Sequence, residues 1–212
     1  MQLDKVQPKN KRQLKQLINY AFKHNIYDLN FIDTSEITDM SLLFSNCMHN
    51  FDVSSWDVSN VTNMGYMFYH CKNFNCGLSN WDVSKVKNMN YMFTWCKIFN
   101  ADLSNWDMSN VENAGFMFYC CKNFNCDLSN WDVSKVINMR HMFRLCKKFD
   151  SDLSNWNVSN VTDMYSMFTA CENFKGKGLE NWDVSKVKDM NYMFNNCDKA
   201  SIPSWYKLYH RK

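Results

Sequence analysis

WDVSNVTNMGYMFYHC, residues 56 to 71, returns as WNVSNVTDMYSMFTAC at residues 156 to 171, with three further copies of the phrase between them. Trp56, Trp81, Trp106, Trp131 and Trp156 open these copies at intervals of 25 residues, and Trp182 opens one more after a single inserted residue. Upstream, IDTSEITDMSLLFSNC at 32 to 47 fits the same phrase with Ile32 in the tryptophan's place, which makes seven rungs. A period in this range is the signature of a solenoid, in which no unit closes a core alone and each buries its apolar face against its neighbours. A body built this way displays surface, so the repeat argues for binding.

Two periods follow one another within a unit. Leu78, Trp81 and Val83 give L-x-x-W-x-V, which resembles the strand-forming start of a leucine-rich repeat, and Val86, Met89, Phe93 and Cys96 then fall at helical steps of three and four. The spacing predicts an α/β repeat solenoid, leucine-rich-repeat-like, of about seven 25-residue rungs, each with a short strand and a short helix. Phe74, Phe99, Phe124, Phe149 and Phe174 return the chain to the next rung. Ahead of the repeats, Leu14, Leu17, Ile18 and Ala21 sit at i, i+3, i+4 and i+7, with Asn10 and Gln13 in capping-box positions, and predict a capping helix over about 11–24. Its Lys11, Arg12, Lys15 and Lys23 read as a solvated face. The expected organisation is a capping helix and leading strand over 1–31, the repeats over 32–199, and a C-terminal cap and tail over 200–212, where Pro203 stops the last element and Trp205, Tyr206 and Leu208 cover its end.

Apolar residues at 46% and aromatics at 16% exclude disorder, while a net charge of +3 is too small to predict nucleic-acid binding. No apolar run reaches the length of a membrane span, so no membrane insertion is expected. Seven of the ten cysteines, Cys47, Cys71, Cys96, Cys121, Cys146, Cys171 and Cys197, occupy one column of the repeat and read as small buried hydrophobes in the reduced state. The outlying Cys76, Cys120 and Cys126 are then expected to be the accessible thiols.

Two polar columns barely vary. Ser59, Ser84, Ser109, Ser134, Ser159 and Ser185 lie where a hydroxyl would cap backbone N–H groups, and Asn80, Asn105, Asn130, Asn155 and Asn181 precede the tryptophans. Both read as structural ladders in buried turns. Four residues after each tryptophan, Asn60, Lys85, Asn110, Lys135, Asn160 and Lys186 alternate, which points to a duplicated unit of 50 residues with lysines along one edge.

On a repeat scaffold the variable positions are free to read a partner. Those expected on the rung surface include Tyr66, Tyr91, Phe116, His141, Ser166 and Tyr192, with Tyr69, Thr94, Tyr119, Arg144, Thr169 and Asn195 beside them. Tyrosine and arginine are favoured at interfaces, so the candidate partner-binding residues are Tyr66, Tyr91, Tyr119 and Arg144, together with the edge lysines Lys85 and Lys135. The competing reading has the tyrosines packing between rungs. Lys72, Lys97, Lys122 and Lys147 form a basic column that Glu172 and Asp198 interrupt.

Catalytic chemistry finds no support in the pattern. Periodic Ser, Asp and Asn are poor candidates because a catalytic group is normally unique, and no nucleophile elbow, P-loop, zinc-protease or dinucleotide motif is present. His70, Cys71 and Cys76 in one unit and Cys120, Cys121 and Cys126 two units later each supply at most three ligands, about 10 Å apart by rung spacing, too far for one zinc site. No catalytic residue, cofactor or metal is expected.

The phrases NFIDTSEITDMSLLF at 30 to 44 and WDVSNVTNM-x-x-MF-x-x-C thereafter are similar to those of the BspA-like leucine-rich repeat surface-protein family, over about residues 28 to 200. The resemblance implies a secreted or cell-surface protein with an adhesive role and no assigned activity. This chain departs from the family in showing no signal peptide, lipobox cysteine or anchor, which as written favours the cytoplasm. Together these readings lead to a monomeric, non-enzymatic protein-binding or adhesion module that presents an extended repeat surface to a protein or glycan ligand. The alternative is an intracellular interaction or regulatory scaffold, which ten cysteines and 15 methionines suit. Nucleic acid is not expected as a partner.

Overall fold

The computed structural model describes residues 5–209. Its rungs contain neither the expected strand nor the expected helix. Among the described residues the α-helices are α1, Lys11–Lys23, and α2, Ser204–Tyr209, with one 3₁₀ turn at Leu179–Asn181. Instead, the segment expected to be helical is a run of β-turns. In the Trp56 rung, Met67 N–H bonds the Met64 carbonyl and Cys71 N–H bonds that of Phe68, closing two four-residue turns end to end. Each turn has its third residue at positive φ, 59° at Tyr66 and 61° at His70, the left-handed geometry that a type II turn demands there.

This geometry reproduces the spacing that suggested a helix. Met64, Met67, Phe68 and Cys71, the first and last residues of the two turns, are fully buried at i, i+3, i+4 and i+7. The distance between rungs decides between them. The centroids of the core rings Phe68 and Phe93 lie 5.5 Å apart, and those of Phe93 and Phe118 5.6 Å apart. A helix with side chains is about 10–12 Å wide and has no room at that separation.

Turns also free alternate peptide groups to bond along the stack. Met64, Tyr66, Phe68 and His70 donate their N–H groups to the carbonyls of Asn88, Asn90, Met92 and Thr94 in the next rung, at 2.8 to 2.9 Å. The same four bonds recur at each rung interface, and parallel bridges run from Asp39 through Asn63, Asn88, Asn113, Asn138 and Asp163 to Asp189. So the β-like register lies in the turn run, while the L-x-x-W-x-V segment is itself folded in turns.

The other side of each rung holds the tryptophans. They are 2% to 5% exposed, and each indole N–H donates to a carbonyl of the preceding rung, as Trp106 does to Leu78 at 3.0 Å. Trp81 and Trp106 stack at 6.5 Å with planes 1° apart, as do Trp156 and Trp182 at 6.3 Å. The polar columns fix the bends between. At every rung an Asp or Asn oxygen accepts the N–H two residues on, as from Asp107 to Ser109 at 2.9 Å and from Asn113 to Gly115 at 3.0 Å. These are Asx-turns. The capping group is thus the aspartate before the serine rather than the serine hydroxyl, and Asn80, Asn105 and Asn130 are exposed rather than buried.

Both ends of the stack are covered in part. Asn10 caps α1 by accepting Gln13 N–H, and Leu14, Ile18 and Ala21 are buried against the first rung. The basic face of α1 is not merely solvated: Lys15 donates to the Leu43 carbonyl, and Lys11 to Ser41 Oγ at 2.6 Å and Asp39 at 3.2 Å. At the other end, Trp205 extends the indole column, its N–H on the Leu179 carbonyl at 2.9 Å and its ring 6.5 Å from Trp182. Leu208, expected to help, is 58% exposed. The inserted residue before Trp182 is absorbed at Gly178, whose φ of 82° and whose missing Cβ, which would lie 2.4 Å from Ser154 Cα, admit no other residue without strain.

Two stability outcomes follow from this packing. Trp106→Ala is expected to cost about 3–5 kcal/mol in denaturant melts, with Trp106→Phe in between, since phenylalanine keeps a ring but removes the second donor to the Leu78 carbonyl, which then holds only the Trp81 main-chain N–H. Leu42, half exposed at φ 59°, is strained for little packing gain. Leu42→Gly should therefore raise stability by about 0.5–1 kcal/mol and Leu42→Val should lower it, and the reverse order would exclude the left-handed turn.

Candidate partner-binding face

Because the ladder aligns equivalent residues, the turn runs 63–73, 88–98, 113–123 and 138–148 form one continuous face. Those runs contain Lys72, Lys97, Lys122, Arg140, Arg144, Lys147 and Lys148 and not one Asp or Glu. At the sixth rung the sign changes: Asp163 lies 3.5 Å from Arg140, and Glu172 lies 2.5 Å from Lys147. Lys72, Lys97, Lys122, Arg144 and Lys148 have no carboxylate partner among the described residues. The main chain offers little here, since its N–H groups and carbonyls are committed to the turns and to neighbouring rungs. Recognition on this face must come from side chains.

Aromatic rings occupy the positions beside the cations. Tyr66 stacks on Tyr91 at 4.4 Å, and Tyr91 on Phe116 at 4.3 Å, with planes 8° and 9° apart. These tyrosines do pack between rungs, yet they remain partly exposed. Burial and the adjacent Tyr66 raise the pKa of Tyr91, and burial with the adjacent Cys120 raises that of Tyr119, so both act as neutral donors. Trp95 meets Tyr119 edge to face at 6.1 Å and carries the Lys97 ammonium 5.6 Å from its ring.

At His141 the column changes character. Its ring tilts 48° from Phe116, and burial together with Arg144 and Arg140 lowers its pKa to about 4, so it is neutral. His141 Nδ1, Arg144 Nε and Ser166 Oγ, all occluded, lack partners. Arg140 instead stacks 4.0 Å over Tyr165.

The structure thus brings Tyr66, Tyr91, Tyr119 and Arg144 onto one face and leaves Lys85 and Lys135 off it. Those lysines follow the Asx-turn that opens each rung, where Lys85 donates to Asn60 at 2.7 Å and Lys135 to Asn110 at 2.7 Å. Asn110 in turn donates to the Ser84 carbonyl at 2.7 Å. The 50-residue alternation is therefore a hydrogen-bond relay between rungs. Pattern reading by column missed the unmixed charge of the face. Only the alignment of the four runs reveals it, although each run is acid-free in the sequence.

The cysteine column is buried from Cys71 to Cys197, and Cys47 partly so. Each buried thiol also donates to the phenylalanine carbonyl of the preceding rung, as Cys96 to Phe68 at 3.0 Å and Cys121 to Phe93 at 2.9 Å. The column is a donor ladder as well as packing. Of the thiols expected to be accessible, Cys120 is 1% and Cys126 9% exposed, and only Cys76 is intermediate. No group of three or more metal-binding side chains stands together among the described residues, and no helix among them is long and apolar enough to cross a membrane.

Burial pushes the Cys71 thiol up to about 12 and those of Cys96, Cys121 and Cys146 well above the ordinary range. The folded chain keeps protons that unfolded thiols lose near about pH 8.5–9, so this stabilisation is complete below that pH and declines above it. Melting temperature is expected to fall between about pH 9 and 12, each such thiol contributing about 1.4 kcal/mol per pH unit. Substituting Cys96, Cys121 and Cys146 by serine should flatten the alkaline limb; an unchanged slope would show that the thiols ionise freely in the native state.

The family described as "Mycoplasma protein of unknown function, DUF285" matches residues 12–125 and again 99–205. No curated protein and no solved structure matches the chain.

Proposed function

We propose that this chain, which belongs to that repeat family of unknown function, is a non-enzymatic binding module that holds an acidic protein ligand on the face of its second to fifth rungs. The reading treats the stack as a solenoid related to the BspA-like leucine-rich repeat surface proteins, with adhesion as its setting. One observation carries it: four consecutive turn runs bear cations and aromatic rings without a single acid, and five of those cations have no carboxylate partner among the described residues. Such a field attracts an opposite surface and suppresses wrong ones. Acidic protein is favoured over nucleic acid because the Tyr66, Tyr91 and Phe116 faces are already stacked on one another, which removes the platforms on which bases would lie.

Affinity capture from a cell-surface extract, read by mass spectrometry, tests the assignment. Lys72→Glu, Lys97→Glu and Lys122→Glu together are expected to abolish capture while moving the melting temperature by only a few degrees, since exposed substitutions change stability by about 0.5 kcal/mol or less each. Lys85→Glu with Lys135→Glu should leave capture intact. Loss only in the second variant would move the site to the other edge, and a short oligonucleotide displacing the captured protein would favour nucleic acid.

A further inference from the structure

The turn-run peptides all point the same way. At each rung interface four N–H groups of the earlier rung meet four carbonyls of the later one, while one continuous column, such as Lys87 N–H to the Thr62 carbonyl, runs in reverse, with isolated reverse bonds such as Asn173 N–H to the Lys147 carbonyl. Three net columns of head-to-tail peptides, each with a dipole of about 3.5 D, therefore run the length of the stack. Its first rung presents carbonyl oxygens and its last rung presents N–H groups.

The two ends are treated differently. Carbonyls at the first rung lie beneath α1, where Lys15 donates to Leu43. At the last rung the Tyr206 hydroxyl is hydrogen-bonded to the Phe194 and Met193 backbone. The N–H groups of Met190, Tyr192 and Asn196, whose counterparts Met164, Ser166 and Ala170 bond the Asp189, Asn191 and Asn195 carbonyls, have no acceptor among the described residues. A groove lined by Asn191, Tyr192, Phe194, Asn195, Ile202 and Tyr206 runs beside them.

We propose that this edge docks a segment of a partner polypeptide that folds as a further turn run and lays an eighth row of carbonyl oxygens on the N–H groups of Met190, Tyr192 and Asn196. Continuity favours this occupant, because each interface in the stack already makes that bond set and the free edge repeats it. A second copy does not fit. Its last rung would set donors against donors, and its first-rung carbonyls are under α1. The edge is distinct from the basic face, so neither reading depends on the other.

Amide exchange followed by NMR on the full chain tests the proposal. In the free protein Tyr192 and Asn196 should exchange near the unprotected rate, while Ser166 and Ala170 exchange about a thousandfold slower. The probe is a blocked synthetic peptide, DMYSMFTA, the sequence of residues 163 to 170. At about 1 mM it should slow Tyr192 and Asn196 at least about tenfold without changing interior amides. Tyr206→Phe, which keeps the ring and releases the Phe194 N–H, should tighten the peptide several-fold; the Lys72, Lys97 and Lys122 substitutions should not alter it. Unchanged exchange at Tyr192 and Asn196 with peptide present, or protection of these amides that grows with protein concentration alone, would overturn the proposal.

Discussion

Everything in this stack depends on peptide groups that bond from one rung to the next. An α-helix satisfies its own main chain, so a rung containing one needs no neighbour for its amides. These rungs give four N–H groups to the next rung instead, and that bonding holds them close enough for the core rings Phe68 and Phe93 to sit 5.5 Å apart. The cost is a left-handed residue twice per rung, at positions filled by Tyr, His, Trp, Phe and Leu rather than Gly. Such residues are disfavoured by about 1–2 kcal/mol each, so the conformation persists because rung bonding and burial offset it.

Repetition of one residue type down a column follows from the same constraint. Where a rung leaves a carbonyl with an unused lone pair, the next rung supplies a donor at the same phase: the indole N–H of Trp131 to Leu103, the thiol of Cys146 to Phe118, the amide of Asn160 to Ser134. Buried polar groups left without partners cost about 1–3 kcal/mol each, and a ladder of identical side chains removes that cost at every level. Trp and Cys are thus retained for a hydrogen bond as much as for volume.

Freedom to vary is left to the turn residues that point outward, and there the charge has been sorted. Rungs two to five carry the unpaired cations, whereas the sixth places Asp163 and Glu172 against Arg140 and Lys147 and closes the basic field. The same surface therefore has a boundary along the stack axis. A partner of matching length is held by several rungs at once, each contributing a little.

Much of the architecture was legible from residues alone. The repeat from Ile32 through Trp56 to Trp182 pointed to the number of rungs, the inward columns and the burial of the cysteine column, and the spacing of Leu14, Leu17, Ile18 and Ala21 to the capping helix, because burial phase depends only on spacing. Spacing did not distinguish helix from turns, since Met64, Met67, Phe68 and Cys71 are inward in either. That choice is made by the neighbouring rung, which is too close for a helix and offers acceptors for alternate amides. Burial of Cys120, the relay through Asn110 and Lys135, and the gathering of Lys72, Lys97, Lys122 and Arg144 on one face likewise belong to the tertiary structure. Each depends on what lies about 5 Å away in the next rung and 25 residues away in the chain.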